Sequence, residues 1–182
     1  MSHVASPIIA VRYQVFTRQG QALEMDPQLL STWSALSEAE PHMLSVSKDE
    51  LRSTLLFAVI ATFGDEPIGF SGIFPARTKD GHQIVRDKHK LVEFGSAVVV
   101  EPWRGQHIGR MMLQIRQHHA LNAGYWGVCV TTNPIVQDLL RDNGWEITND
   151  LELKRDLCLC DPQPLHYCAT CPLREDACWL LV

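Results

Sequence analysis

The chain has 182 residues, of which 46% are hydrophobic and 20% charged. That is ordinary for a globular protein, and one domain of this length buries about two thirds of its unfolded surface without a disulfide scaffold. A formal net charge of −5 argues against a nucleic-acid binder that works through bulk electrostatics. The segment Met1 to Pro7 has no basic region followed by an apolar core, and no apolar run approaches membrane-spanning length. The expected compartment is therefore the cytosol, with no membrane partner.

In chain order, Ile8, Ile9, Val11, Tyr13, Val15 and Phe16 alternate poorly and fit the stripe of a helix, with a short first strand as the alternative. Gly20 and Gln21 suggest a turn. Asp26 then caps a helix that has Pro27 at its first position and runs through Leu29, Leu30, Trp33 and Leu36. Leu29 and Leu36 read as packing residues, whereas Trp33, Glu38 and Glu40 receive no assignment. Ser47-Lys48-Asp49-Glu50 matches a capping box and opens a short helix to about Ser53. Leu55 to Phe63, the turn Gly64 to Pro67 and Ile68 to Phe74 read as a β-hairpin. From Arg77 to Lys90 the chain is polar and reads as a solvated loop rather than a contact for acidic ligands.

Ala97, Val98, Val99 and Val100 form an apolar, β-branched run expected as a buried strand, which Pro102 should stop because it cannot donate to a ladder. Arg104-Gly105-Gln106-His107-Ile108-Gly109-Arg110 comes next, and then Ile108, Met111, Met112 and Ile115 recur at helical spacing. The helix is expected over about Gly105 to Ala123. A glycine-bearing turn between a strand and a helix N-terminus has a chemical use. The first helical turn leaves N–H groups without intrahelical partners, the dipole adds partial positive charge, and small residues let a phosphate approach.

Gly124 marks the end of that helix, and Trp126 to Thr131 is expected as the next buried strand. Pro134 to Asp142 reads as a short helix closed by Gly144. Trp145 to Thr148 and Leu151 to Leu159 then alternate like two antiparallel strands around an Asn149-Asp150 turn. The sum is an α/β chain with a mixed sheet.

Two of these stretches resemble motifs of the GNAT N-acetyltransferase superfamily. Arg104 and Gly109 match the outer positions of its Arg/Gln-x-x-Gly-x-Gly/Ala acetyl-CoA motif, with His107 where the middle glycine usually stands. Asn133 to Trp145 is similar to the family's later strand–helix–strand segment, with Asn-Pro opening the helix and a Gly-aromatic pair closing it. The resemblance covers about Leu55 to Leu157. It implies a GNAT-like, mostly antiparallel twisted sheet flanked by helices, expected over residues 1–157; the cysteines clustered beyond it mark 158–182 as a Cys-rich C-terminal extension packed on that domain and a candidate for metal binding.

The resemblance also implies a site. The strand ending at Val100 splays from the next one, acetyl-CoA lays its pantetheine in the gap, and Val98, Val99 and Val100 pair with it. Arg104, Gly105, Gln106, His107, Ile108, Gly109 and Arg110 cradle the pyrophosphate, and Asn133 is carried over as a cofactor contact. His107 can donate its N–H there provided that its φ is negative. Glu93 stands where many members place an acid that deprotonates the amine, with Ser96 to relay or orient a water. The usual tyrosine proton donor is replaced by Leu140. The region Met25 to Met43 would wall the acceptor site. Cys129 reads as a small buried hydrophobe.

The tail carries Cys158, Cys160, Cys168, Cys171 and Cys178, with His166 among them. Cys-x-x-Cys is a common zinc knuckle, and residues two apart on a strand share a face, so Cys158, Cys160, Cys168 and Cys171 form a candidate structural zinc site. An iron–sulfur cluster, reduced thiols and disulfides remain open readings. The expected function is acetyl transfer from acetyl-CoA to a primary amine of a small molecule or protein, with homodimer formation left open. The rivals are a non-catalytic acyl-CoA-binding module and a redox-sensing thiol protein.

Overall fold

A computed structural model describes residues 10–18, 23–40, 45–158 and 177–182. Its strands are β1 (Val11–Thr17), β2 (Phe57–Phe63), β3 (Glu66–Pro75), β4 (Val85–Arg86), β5 (His89–Val99), β6 (Trp126–Val130), β7 (Glu146–Ile147) and β8 (Cys178–Leu181). The helices are α1 (Pro27–Ala39), α2 (Lys48–Thr54), α3 (Ile108–Asn122), α4 (Pro134–Arg141) and α5 (Leu151–Asp156). One sheet runs β1-β2-β3-β5-β6-β8-β7, with β4 paired to β5 off this path. Among the described residues β5 and β6 are parallel and every other pair is antiparallel.

The two faces of the sheet hold separate cores. Val59, Ile73, Val92 and Phe94 pack with Ile108, Met112 and Leu113 of α3 and Leu140 of α4. On the other face Ala58, Ile60, Phe70 and Val98 pack with Leu30 and Trp33 of α1 and Leu51 of α2. A third cluster joins Ile84, Leu91, Val128 and Cys178 to Leu153 of α5. Local signals set the helix starts: Asp26 accepts from the Gln28 N–H at 2.7 Å, and Ser47 from the Glu50 N–H at 3.1 Å. The hairpin expected from Leu55 to Phe74 forms as β2 and β3.

Four expectations are corrected. The first apolar stretch is a strand, β1, rather than a helix. Val11 and Tyr13 pack on the α3 side and Phe16 on the α1 side, so burial on both faces erases the period of two. The polar stretch before Leu91 contains β4 and a tight hairpin, with Asp87 (φ 46°) and Lys88 (φ 72°) in the left-handed turn that a right-twisted hairpin requires. Leu151 to Asp156 is a helix, not a strand, because Asp150 accepts from the Leu153 N–H at 2.9 Å and the residues after it are good helix formers. Finally, Cys178–Leu181 is a strand seated between β6 and β7, so the end of the segment read as an extension completes the sheet itself. Among the described residues no helix is long and apolar enough to cross a membrane.

Candidate active site in the gap between β5 and β6

The parallel pairing of β5 with β6 stops early. It joins Leu91, Val92 and Glu93 to Trp126, Gly127 and Val128, whereas β5 continues to Val99 and β6 to Val130. Beyond Glu93 the β6-facing edge of β5 has no strand partner among the described residues. A bulge causes the divergence. Gly72 faces Gly95 and Phe70 faces Val98, so β5 carries one more residue than β3 in this interval. Ser96, inside the bulge, has φ 48°, and its carbonyl accepts from the Trp33 indole N–H at 2.9 Å.

The extra residue exchanges the faces of the residues beyond it. Val92 and Phe94 point to α3, but after the bulge Val98 lies in the α1/α2 core and Val99 packs on the α3 side. Backbone directions change with them. The Val100 N–H donates to the Ile68 carbonyl at 2.9 Å, so Ile68/Val100 and Phe70/Val98 are hydrogen-bonded positions, and Val99, opposite Gly69, turns its N–H and C=O into the gap. Of the three valines assigned to cofactor pairing, Val99 is thus the one whose backbone faces the gap. Its carbonyl accepts from Arg104 Nε at 2.9 Å. The run is also less buried than expected: Val98 is buried, Ala97 is exposed, and Val99 and Val100 are half-buried.

A single 3-10 turn, Glu101–Trp103, ends the strand and leads to α3, which starts at Ile108, three residues later than expected. Gly105 has φ 76°, a value glycine adopts freely. His107 has φ 59°, so the expectation of a negative φ is overturned: the residue before the helix takes a left-handed conformation, which a glycine would adopt without a Cβ penalty. The first helical bond is Met111 N–H to the His107 carbonyl at 3.0 Å, and the His107 side chain makes no capping hydrogen bond. The N–H groups of Ile108, Gly109 and Arg110 therefore lie at an open, positive helix end. A Cβ on Gly109 would meet Val99 Cγ2 at 3.9 Å and, beyond the adjoining helix backbone, no other atom of the described residues within 4 Å, which leaves room at this end for a ligand.

The flanking charges are engaged within the protein. Arg104 Nη2 lies 2.6 Å from Glu40 Oε2, and Arg110 Nη2 lies 2.7 Å from Asp142 Oδ2. Gln106, exposed, directs its amide at the Pro102 carbonyl, 3.4 Å away. Asn133 caps α4 by accepting from the Ile135 N–H at 3.0 Å, a structural task that accounts for its position in the sequence. The geometry is that of a splayed parallel pair leading to an uncapped helix end, and the family model for GNAT acetyltransferases matches residues 23–145.

The chain belongs to the GNAT acetyltransferase family.

Solved structures share its fold. YhbS of Escherichia coli, a GNAT family N-acetyltransferase in complex with CoA, superimposes with a TM-score of 0.55 at 17% identity, over 80% of this chain and 73% of that one. Rv2747 of Mycobacterium tuberculosis, in complex with CoA, gives 0.60 at 14% identity, over 95% and 98%. NAA60 of Arabidopsis thaliana, in complex with acetyl-CoA, gives 0.56 at 12% identity, over 77% and 86%. A search of curated proteins finds none that matches the sequence.

Opposite the α3 side of the gap lies the α1/α2 face. Glu93 is half-buried on β5, and burial, reinforced by the Glu50 carboxylate of α2, pushes its pKa above the ordinary value. A cavity of about 610 Å³ opens between the C-terminal end of α1 and the end of β5. Sequence reasoning missed three residues here: Trp33, Glu40 and Glu50. Only Glu50 had a local signal, and that signal pointed to helix capping.

The thiols do not join the site. Burial pushes Cys129 up to about 12, although the Arg116 guanidinium pulls it back in part, so it stays a neutral core thiol. Cys178 is likewise pushed up to about 12, chiefly by burial. Of the four proposed metal ligands, Cys158 is buried just beyond α5, and Cys160, Cys168 and Cys171 lie outside the described residues. Among the described residues no group of three or more His, Cys, Asp or Glu side chains could hold a metal.

Proposed function

We propose that this protein transfers the acetyl group of acetyl-CoA directly to a primary amine in a ternary complex. The observation that carries the reading is the open β5 edge beyond Glu93, which leads to the uncapped N-terminus of α3. Pantetheine amides pair with the N–H and C=O of Val99, and the pyrophosphate sits on the N–H groups of Ile108, Gly109 and Arg110. Backbone donors suffice for this, so His107 in place of glycine does not prevent it.

Chemistry follows from the two faces of the gap. The amine approaches from the α1/α2 side, where Glu93, its basicity raised by burial, accepts an amine proton directly or through a water oriented by Ser96. The amine nitrogen then bonds to the thioester carbon, whose oxygen is held by a β5 N–H while it carries negative charge. Collapse breaks the C–S bond and leaves an amide and a thiolate. Leu140, buried on α4, cannot protonate that thiolate, so water or the amine's second proton serves. No acyl-enzyme is needed.

Both small-molecule and protein amines remain within this reading. Its test is CoA thiol release against an amine panel. Steady release that drops on Glu93→Gln supports it. Tight acetyl-CoA binding with no release for any amine supports a second reading, a non-catalytic acyl-CoA-binding module, which the apolar Leu140 favours.

A further inference from the structure

The cavity at the end of α1 is walled by Leu36, Val98, Val100 and Pro102, and among the described residues its charged lining is Glu40, Glu101 and Arg104. It lies on the α1/α2 face, where Val98 is placed by the bulge, and so on the side from which the amine approaches. Arg104 spans it and the gap at once. Nε holds the Val99 carbonyl on the gap edge at 2.9 Å, and Nη2 holds Glu40 in the cavity at 2.6 Å.

The two ends of this ion pair differ in exposure. The Arg104 side chain is 51% exposed, whereas that of Glu40 is 22% exposed. A guanidinium so exposed exchanges one anion for another with little desolvation, and a pyrophosphate offers more acceptor oxygens and more charge than one carboxylate. Glu40, once released by Arg104, is a shielded carboxylate in a cavity with apolar walls, and the remaining charged lining residue among the described residues, Glu101, is also acidic. Such a site attracts cations and repels carboxylates.

Resting on the acetyltransfer reading above, we propose that this cavity takes a cationic tail on the acceptor amine, with Glu40 as its partner. Arg104 covers Glu40 in the free protein and releases it when the pyrophosphate of acetyl-CoA draws the guanidinium away. The acceptor class is then a primary amine carrying a second positive charge on an apolar linker. Glu40 sets specificity and Arg104 couples the two substrates. Coupling of this kind is reciprocal, so a dicationic amine also tightens CoA binding.

The test is calorimetric titration of the full chain, with and without CoA, using α,ω-diamines of increasing chain length. Each is compared with the n-alkylamine and ω-amino acid of matched length. With CoA bound, the best diamine should bind about tenfold tighter than its matched monoamine, and the ω-amino acid should bind weakest. CoA should tighten that diamine about fivefold, and Glu40→Gln should abolish both effects and, because it frees Arg104, should by itself tighten CoA by up to about fivefold. Glu40→Asp, which keeps the charge, should retain the preference and guards against loss through misfolding. Equal binding of diamine and monoamine, or a preference that survives Glu40→Gln, overturns the proposal; an unaltered diamine affinity on adding CoA overturns the role of Arg104. Failure of CoA itself to bind instead overturns the acetyltransfer reading.

Discussion

The indole N–H of Trp33 donates to the Ser96 carbonyl at 2.9 Å, tying a fully buried residue of α1 to the bulge in β5. The same indole stacks on Phe70, with ring centroids 5.6 Å apart, and Phe70 faces Val98 across the sheet. Ser96 is thus held at φ 48° from the α1 side, a conformation that costs a non-glycine residue about 1 kcal/mol or more. Trp33→Phe keeps an aromatic ring and leaves the Ser96 carbonyl unpaired. Stability should fall by about 1–3 kcal/mol in urea unfolding, and thiol release should fall more than acetyl-CoA affinity. Unchanged values for both would mean that the bulge holds itself.

The raised pKa of Glu93 gives opposite signs for activity and stability. As a base it must be ionised, so kcat/KM rises with pH through a limb above the ordinary glutamate range, and Glu50→Gln should move that limb down. A carboxyl whose pKa rises on folding contributes stability that is present below its unfolded pKa and lost as pH rises through the folded one. Glu93→Gln should therefore raise stability at neutral pH while lowering kcat about a hundredfold. A variant less stable at neutral pH, with full activity, would remove Glu93 from the site.

His107 occupies a left-handed position, φ 59°, where glycine carries no Cβ penalty. Relief of that penalty, partly offset by the larger entropy of an unfolded glycine, should make His107→Gly more stable by a few tenths to about 1 kcal/mol. Acetyl-CoA affinity should hold within about twofold, because the contact is through the backbone. The urea midpoint checks the first statement and calorimetry the second.

Gly109 has open space in front of its Cα, where an added Cβ would meet Val99 Cγ2 at 3.9 Å and, outside the helix backbone, no other heavy atom of the described residues within 4 Å. Gly109→Val should consequently fold, with a stability change within about 1 kcal/mol, yet lose acetyl-CoA affinity by about tenfold or more as the side chain fills the ligand's place. Wild-type affinity in this variant would place the pyrophosphate elsewhere.

Features written in short stretches of chain were legible in the sequence. The Asp26 and Ser47 caps, the β2–β3 hairpin and the turn into α3 each depend on residues a few positions apart. The missed features depend on distant partners. The bulge at Ser96 is held by Trp33, 63 residues away, and Arg104 finds Glu40 across 64. The order β6-β8-β7 places Cys178–Leu181 inside the sheet, which no local pattern announces. Leu151 and Leu153 alternate like a strand, but the Asp150 cap and the core contact of Leu153 decide for a helix. His107 marks a further limit: motif position identified the residue, while its φ depends on how the 3-10 turn delivers the chain to α3.

Direct transfer in the β5–β6 gap is decided by native mass spectrometry of the purified chain with acetyl-CoA, before and after an accepted amine is added. One acetyl-CoA per chain is expected, with its conversion to CoA when the amine arrives and no acetyl group left on the protein at any stage. A folded protein that takes up no acetyl-CoA, or one whose own mass rises by an acetyl group before the amine is present, would contradict it.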